Sequence, residues 1–284
     1  MIDGKLKGLA AACAVAALAA GSAAFAGPDD NTLVIEGVEI VTDVAAPDGH
    51  PLDHLYSGWR FRSAETQELE MDDFENPAMV LVEQSREDWD AVDGSEGKSC
   101  ASCHGDVEES MIGVKAGYPK MNETAGKPFA LEHQINACRT ERMGAKEWKW
   151  ESGAMLGMTG LIGMQSRGMP VDIDEAALAD AIAEGKELYY TRVGQLDMSC
   201  AHCHEDNWGT MIRADHLSQG QTNGFPTYRL KWQGVGSLHR RFKGCMDNIR
   251  AEPFKRGSQE FTALEAYLAW RGQGLGVESP SVRN

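Results

Sequence analysis

Two short motifs of the same form constrain this chain more than any other feature of its sequence. They read Cys100-Ala-Ser-Cys103-His104 and Cys200-Ala-His-Cys203-His204. Two cysteines at this spacing can add to the vinyl groups of a porphyrin, and the histidine directly after them reaches the iron. A zinc ribbon places its cysteine pairs about 15 to 20 residues apart, far closer than these two pairs. The sequence therefore predicts two covalently bound c-type haems, with the four motif cysteines as attachment points and the two motif histidines as axial iron ligands.

Further landmarks follow each motif in the same order. Gly117-Tyr118-Pro119 comes after the first motif, and Gly224-Phe225-Pro226 comes after the second. A single cysteine then follows each aromatic residue by twenty positions, at Cys138 and at Cys245. An ordered set of landmarks repeated at a long interval is typical of duplicated domains. The sequence therefore predicts two similar domains.

Helical patterns surround each motif and each single cysteine. Apolar residues at helical spacing predict helices over residues 72–92, 153–165, 174–190 and 258–270. Helix, haem motif, long loop, ligand and helix is the order of a class I cytochrome c. We therefore expect a mainly α fold of two tandem class I cytochrome c-like domains related by duplication, with an N-terminal extension.

The domain boundaries follow from the repeat and from Pro170. The first unit is predicted over residues 27–170 and includes the extension, and the second unit, with the active site, over residues 171–284. Residues 27 to 70 do not repeat. They are rich in Val, Ile, Gly, Pro and Asp, which is compatible either with a few strands or with a segment that wraps the first domain.

The first residues indicate export. Lys5 and Lys7 precede an uncharged apolar run over residues 9–20, and small residues then end in an Ala-x-Ala cleavage signal at Ala26. The run is shorter than the roughly 20 residues that a bilayer-spanning helix needs. Residues 1–26 are therefore predicted to be a signal peptide, and the mature protein is expected in the periplasm without a membrane span.

The chain is acidic, with 43 Asp and Glu against 27 Lys and Arg and a net charge of −16. Such a charge disfavours binding to nucleic acid or to an anionic membrane surface. It favours attraction to a partner with a basic face. An anionic substrate would need a local basic pocket to overcome the overall charge.

The sixth iron ligand is the open question at each predicted haem. Methionine is common in this position, but Met155, Met158 and Met164 lie at helical spacing, which favours core packing. Cys138 and Cys245 occupy equivalent positions, and a thiolate is a strong iron ligand. The alternative is one disulfide that joins the two domains. His133 and His239 are further possible ligands.

Cations precede the second single cysteine. Arg240, Arg241 and Lys243 lie within five residues of Cys245, where they would favour a thiolate and attract an anion. They could equally be solvated surface charges or partners of haem propionates. Arg139 and Arg142 lie near Cys138, so charge in the sequence alone does not distinguish the two cysteines.

Together these residues resemble a known family. Two Cys-x-x-Cys-His domains, each followed by one cysteine, with Arg241-Phe-Lys-Gly-Cys245 in the second, are similar to the SoxA subunits of SoxAX cytochromes. The resemblance implies an L-cysteine S-thiosulfotransferase of bacterial thiosulfate oxidation, which couples thiosulfate to a cysteine of a SoxYZ-like carrier protein. It also implies a SoxX-like monohaem cytochrome as the partner in a heterodimer and a soluble cytochrome as electron acceptor.

The resemblance also implies roles for individual residues. Cys245 would be the catalytic sulfur, carried as a persulfide, and the axial partner of His204. Arg241 would bind the substrate anion, with Lys243 beside it, and His104 with Cys138 would hold the first haem iron. Two other functions remain open, namely a dihaem thiosulfate dehydrogenase that forms tetrathionate and an electron-transfer cytochrome without catalysis.

Overall fold

The computed structural model describes residues 32–284, so the predicted signal peptide lies outside the described residues. Within this range, two helical halves follow a segment of short strands, and the predicted mainly helical class is confirmed. No helix between residues 32 and 284 combines the length and the apolar character needed to cross a membrane.

The N-terminal segment forms two small antiparallel hairpins followed by a 3-10 helix over Gly58–Phe61. The strands are β1 (Leu33–Ile35), β2 (Val38–Ile40), β3 (Asp43–Ala45) and β4 (His54–Tyr56). Glu36 and Gly37 both have positive φ, as a two-residue turn between right-twisted strands requires. Inward side chains of β1 and β2 pack on Trp59 and form a small core of their own.

This segment packs mainly against the second half of the chain and does not simply wrap the first. The Tyr56 amide donates to Gln219 Oε1 at 2.8 Å, and Gln219 Nε2 donates to the His54 carbonyl at 3.0 Å. The ring of Phe61 meets the edge of His216 at 5.3 Å between centroids. A bridging helix, α1 (Ala64–Met71), then leads into the first half.

The first half is built on two crossed helices, α2 and α6, that flank the first haem motif. Its elements are α2 (Met79–Asp90), α3 (Cys100–His104), α4 (Val107–Ser110), β5 (Lys120–Asn122), β6 (Lys127–Phe129), α5 (Leu131–Arg142) and α6 (Gly153–Met164). The two helices approach closely because Gly157 faces the Leu81 carbonyl oxygen, where a Cβ would collide. Met155, Met158 and Leu161 are buried at this contact, which confirms the predicted core packing of the first two methionines.

The second half has a matching helix pair, α7 and α10. Its elements are α7 (Ala179–Tyr190), α8 (Cys200–His204), β7 (Met211–Ile212), β8 (Asp215–His216), β9 (Thr227–Arg229), β10 (Gly234–Gly236), α9 (Leu238–Asn248), α10 (Gln259–Arg271) and β11 (Ser281–Arg283). Here Gly185 of α7 lies against the Ala263 carbonyl. β9 is the central strand of a three-stranded sheet, antiparallel to β10 and parallel to β11.

The two halves share the order of the first helix, the haem motif, the cysteine-bearing helix and the last helix, although α4 lies only in the first half and the second half has more strands. They also share one loop contact. In the first, the loop before the haem motif donates from the Glu96 amide to the Met143 carbonyl at 3.1 Å. In the second, the Leu196 amide donates to the Ile249 carbonyl at 3.3 Å. Each contact ties the start of a haem motif to the end of the helix that carries the single cysteine.

The predicted helices agree with the structure to within two residues except at the starts of α2 and α7. α2 begins at Met79 and not at Asp72, because the Asn76 side chain accepts from the Ala78 amide and holds a turn around Pro77. α7 begins at Ala179 and not at Asp174, because Asp174 accepts from the Ala177 amide in the same way. Side chains that bond to nearby backbone amides compete with the first helical turn.

Candidate haem centres

The first haem motif forms a one-turn helix capped by its neighbours. The Ser99 hydroxyl accepts from the Ser102 amide at 3.1 Å, and the Ser102 hydroxyl accepts from the Ser99 amide at 2.9 Å. Residues three and four apart share one face of a helix, so the two thiols and the imidazole of Cys100–His104 project to the same side.

The second motif forms the same turn with a different cap. His202 Nδ1 accepts from the Ser199 amide at 3.1 Å, so this ring caps the N-terminus of α8 (Cys200–His204). His204 is held through its own Nδ1, which donates to the Ser218 carbonyl at 2.8 Å. A histidine that donates through Nδ1 presents the lone pair of Nε2 to a metal.

The single cysteine of the second half faces this histidine. The Cys245 thiol interacts with the His204 side chain and lies near Cys200 and Cys203. Burial raises the pKa of the Cys245 thiol, but Arg241, His204 and Arg229 outweigh burial and lower it to about 7. A substantial fraction of this sulfur is therefore thiolate near neutral pH, the form that binds metal and attacks electrophiles.

Two guanidinium groups, Arg241 and Arg229, act on the Cys245 sulfur, and a third, Arg62, acts on both of them. Arg241 lies one helical turn before Cys245 on α9, which places both on one face. Arg229 is the last residue of β9, and Arg62 follows the 3-10 helix of the N-terminal segment. The three groups act electrostatically on one another. In residues 32–284, none of them forms an ion pair with an Asp or Glu side chain, although Arg229 Nε donates to a main-chain oxygen of Asn284 at 2.6 Å.

A fourth arginine nearby is fully neutralised. Arg283 forms ion pairs with the buried Glu70 and Glu278. Burial raises the pKa of Glu70 to about 8, although Arg283 opposes the rise. Arg283 therefore links β11 to the buried Glu70 and Glu278. The charges of Arg62, Arg229 and Arg241 are not neutralised by an Asp or Glu side chain among residues 32–284 and are available to another partner.

Lys243 does not reach this cluster. It lies two residues from Cys245 on α9, on another face of the helix, and its Nζ binds Asp247 Oδ2 at 2.9 Å. Arg240 also turns away, over the ring of Trp232 at 4.3 Å. The proposed anion site around Cys245 therefore does not include Lys243.

The first single cysteine has a different environment. Cys138 lies near Cys100, since it adds to the rise that burial causes in the pKa of Cys100. Gln134 Nε2 lies 3.4 Å from its sulfur. The adjacent Arg139 donates to Asp93 Oδ2 at 2.6 Å and lies over Trp148 at 3.8 Å, so its charge is already paired.

The two further candidate ligands are occupied by backbone contacts. His133 Nδ1 accepts from the Ala130 amide, and its Nε2 donates to the Gly257 carbonyl at 2.9 Å. His239 Nδ1 accepts from the Gly257 amide at 2.9 Å, and its Nε2 contacts Glu265 at 3.1 Å. With both ring nitrogens engaged, neither histidine is available to iron.

The residues of both sites fit a haem c. Each site supplies two thiols and an imidazole on one face of a short helix and a single cysteine sulfur from a second helix. The six cysteines between residues 32 and 284 are all free thiols. A disulfide between Cys138 and Cys245, the alternative open from sequence, is therefore not formed in this structure.

Two residues of the second site were missed in the sequence. Arg62 and Arg229 lie in no motif, and Arg62 is far along the chain from Cys245. The only available signal was the expectation that an anionic substrate needs a basic pocket. Which arginines form it depends on how the N-terminal segment and β9 pack.

Comparisons with known proteins identify the same kind of domain. The family model described as "SoxA/TsdA, cytochrome c domain" matches residues 84–171 and 184–277. A cytochrome c domain implies covalently bound haem c.

Individual relatives match over nearly the whole chain. The L-cysteine S-thiosulfotransferase subunit SoxA of Rhodovulum sulfidophilum is 52% identical over 279 residues, which cover 97% of each chain. That of Paracoccus pantotrophus is 53% identical over 287 residues, covering 99% of this chain and 98% of the relative. A chain of the crystal structure of SoxXA from P. pantotrophus superposes with a TM-score of 0.86 and covers 90% of this chain and 99% of that chain. The chain therefore belongs to the SoxA family of L-cysteine S-thiosulfotransferase subunits.

Proposed function

We propose that the second site, at Cys245, couples thiosulfate to a cysteine of a carrier protein. One observation carries this assignment: the Cys245 thiol faces His204 and lies in the field of Arg241, which pairs with no Asp or Glu side chain among residues 32–284, and of Arg229. A relay for electrons alone would not require uncompensated positive charge at an iron ligand, whereas a dianionic substrate does.

The balanced reaction defines what the residues must do. One thiosulfate dianion and one carrier thiol form a new sulfur–sulfur bond and release one proton and two electrons. Cys245 is the catalytic sulfur, carried as a thiolate or a persulfide. Its sulfur and the outer sulfur of thiosulfate form a sulfur–sulfur bond as two electrons leave to the acceptor. The deprotonated carrier thiol then attacks the outer thiosulfate sulfur, which breaks its bond to Cys245 and returns Cys245 to its starting form. Arg241 binds the sulfonate end of the substrate and offsets its repulsion by an acidic protein.

Haem c bound at the two sites would accept the electrons that bond formation releases. We propose two haems, attached through Cys100 and Cys103 and through Cys200 and Cys203. His104 and Cys138 would hold the first iron, and His204 and Cys245 would hold the second. The first site, whose neighbouring arginine is already paired, serves as an electron relay or as a structural element.

We propose the same two-domain organisation that the repeat predicts. The domains are residues 27–170, with an N-terminal extension, and residues 171–284, and they arose by duplication. The shared order of elements in the two halves and the two segments matched by the family model support this proposal.

The proposed setting is the periplasm, after removal of residues 1–26. The P. pantotrophus crystal structure is that of SoxXA, which supports a SoxX-like monohaem cytochrome as the partner of this chain. A SoxYZ-like carrier would supply the acceptor thiol and a soluble cytochrome would remove the electrons. The net charge of −16 favours partners with basic faces over nucleic acid.

The test is a conjugation assay with the complete holoprotein complex. Thiosulfate, carrier and an oxidised cytochrome are mixed, and the carrier is analysed by mass spectrometry for the mass gain of one thiosulfate. The proposal requires that this gain depends on thiosulfate and on the complex. Rapid formation of tetrathionate without a carrier would instead identify a thiosulfate dehydrogenase, and reduction of haem without either product an electron-transfer cytochrome.

A further inference from the structure

The N-terminal segment brings an arginine to the Cys245 site. Arg62 follows the 3-10 helix Gly58–Phe61, and its Nη2 donates to the His216 carbonyl at 2.7 Å. Phe61 packs edge-on against the same His216 ring at 5.3 Å. These two contacts fix the guanidinium against the loop that separates α8 from β9.

Part of this guanidinium has no partner. Arg62 Nε is buried and makes no hydrogen bond. Its neighbour Arg60 differs, because it pairs with Asp43 at 3.2 Å. Arg229 donates from Nε to a main-chain oxygen of Asn284, the last residue, at 2.6 Å, and like Arg62 it pairs with no Asp or Glu side chain among residues 32–284.

The cluster is electrostatically unfavourable as it stands. Burial, together with the neighbouring arginines, lowers the pKa of Arg62 and of Arg229 to about 10. The Asp215 carboxylate raises the pKa of both arginines, but it also forms an ion pair with Lys231. Partly buried cations that repel one another are stabilised by an anion that accepts hydrogen bonds from more than one of them.

We infer that Arg62 and Arg229 bind the sulfonate group of thiosulfate together with Arg241, so that the N-terminal segment contributes a substrate-binding residue to the second haem site. This inference rests on the proposed function. The site suits the substrate because Arg241 and Arg229 act on the Cys245 sulfur and Arg62, with its buried unpartnered Nε, acts on both of them. A haem propionate has related anionic chemistry and is the competing source of the anion.

The test compares three variants of the holoprotein complex, Arg62→Ala, Arg62→Lys and Arg60→Ala. We expect Arg62→Ala to raise KM for thiosulfate roughly tenfold with a smaller change in kcat, since it removes one charge-assisted contact. Arg62→Lys should recover part of the loss. Arg60→Ala removes the same charge two residues away and should leave KM unchanged.

A binding measurement and a spectrum separate the two sources of the anion. Titration calorimetry of the oxidised complex with thiosulfate, without carrier, should show the same loss of affinity in Arg62→Ala. The reduction potentials and the low-spin electron paramagnetic resonance signals without thiosulfate should stay those of the wild type. A shifted potential or signal of the second haem with unchanged thiosulfate affinity would identify a propionate site and overturn the inference.

Failure of this inference differs from failure of the proposed function. If the wild-type complex does not conjugate thiosulfate to the carrier, the proposed function is wrong. If the wild type conjugates and Arg62→Ala keeps its KM and affinity, only the role of Arg62 is wrong. Should Arg62→Ala not fold, Arg62→Gln keeps the side-chain bulk without the charge and is subject to the same two criteria.

Discussion

Helices α5 and α9 each carry one cysteine and nearby arginines, yet the two arginine sets have opposite surroundings. Arg139, next to Cys138, is buried against Trp148 and paired with Asp93. Arg241, one turn before Cys245, has no carboxylate partner between residues 32 and 284. The difference shows that charge near a cysteine has chemical meaning only after its partners are known.

The histidine sides of the two sites differ as well. His204 is locked by the Ser218 carbonyl and by Gly220, which packs directly on its ring. His104 lies beside the ring of Trp89 at 5.8 Å. The orientation of His204 is therefore set by a hydrogen bond and a close backbone contact, as a site that performs chemistry at a ligand requires.

The largest expected effect separates the two cysteines. Cys245→Ala should lower the rate of carrier conjugation by at least about a thousandfold, because it removes the reacting sulfur. Cys138→Ala should change that rate less than about tenfold, since its site only relays electrons or supports the fold. Initial rates by mass spectrometry, normalised to covalent haem content, measure both. Equal losses in the two variants would contradict the proposed division of roles.

Replacing Arg241 and replacing Arg139 should affect different properties of the protein, namely KM for thiosulfate and the free energy of unfolding. Arg241→Ala should raise KM for thiosulfate by about ten- to a hundredfold with little change in stability. Arg139→Ala should lower the free energy of unfolding by about 2 kcal/mol, because it removes a charge-assisted hydrogen bond and packing on Trp148, and leave KM unchanged.

Steady-state kinetics and urea unfolding measure these two effects. Lys243→Ala is the matched control for Arg241, since it removes the same charge from the same helix. If Lys243→Ala raised KM as much as Arg241→Ala, the general positive charge of the helix, and not a specific contact with Arg241, would account for thiosulfate binding.

A glycine tests how tightly His204 is held. In Gly220→Ala the new Cβ would lie 3.0 Å from His204 Cγ at a φ of +77°. We expect a loss of about 1–2 kcal/mol in stability and a changed resonance signal for the second haem alone. Gly126→Ala has a φ of +63° with nothing within 4 Å, so it reports backbone strain without the ring contact. Identical spectra for both variants would show that Gly220 does not position His204.

The smallest effect concerns pH and the first site. The hydrogen bond from Arg139 lowers the pKa of Asp93 below its usual value. A carboxyl group whose pKa is lowered by folding stabilises the protein above its unfolded pKa, and this contribution disappears as pH falls through the folded pKa. Stability of the first half should therefore decrease below about pH 4, and Asp93→Asn should remove that dependence. Thermal unfolding followed in the two proteins between neutral and acidic pH measures it, and an unchanged acid slope in Asp93→Asn would show that the pair is not responsible.

Some of the structure could be predicted because it is encoded locally. Attachment of haem needs residues within a single helical turn, so the spacing of Cys200, Cys203 and His204 suffices to predict the geometry of α8. The repeat predicted equivalent positions for Cys138 and Cys245. If α9 is a regular helix through Cys245, its periodicity also places Arg241 on the same face as Cys245 and Lys243 on a different face.

Other features depended on contacts between distant parts of the chain. The pairing of Arg139 with Asp93 links residues far apart in sequence, and nothing in the neighbourhood of Cys138 predicts it. The position of Arg62 depends on how the N-terminal segment packs on the loop after α8. That segment was expected as strands or as a wrap around the first domain, and its contacts with the second half decide its role.

The sequence by itself determined the two haem motifs, the helical class and the candidate sulfur ligands. These follow from short-range spacing and from a repeat, which do not require knowledge of how the chain packs. Only the tertiary structure decided which cysteine has available positive charge around it. A guanidinium becomes available or neutralised through long-range contacts, and those contacts exist only after the halves and the N-terminal segment have assembled.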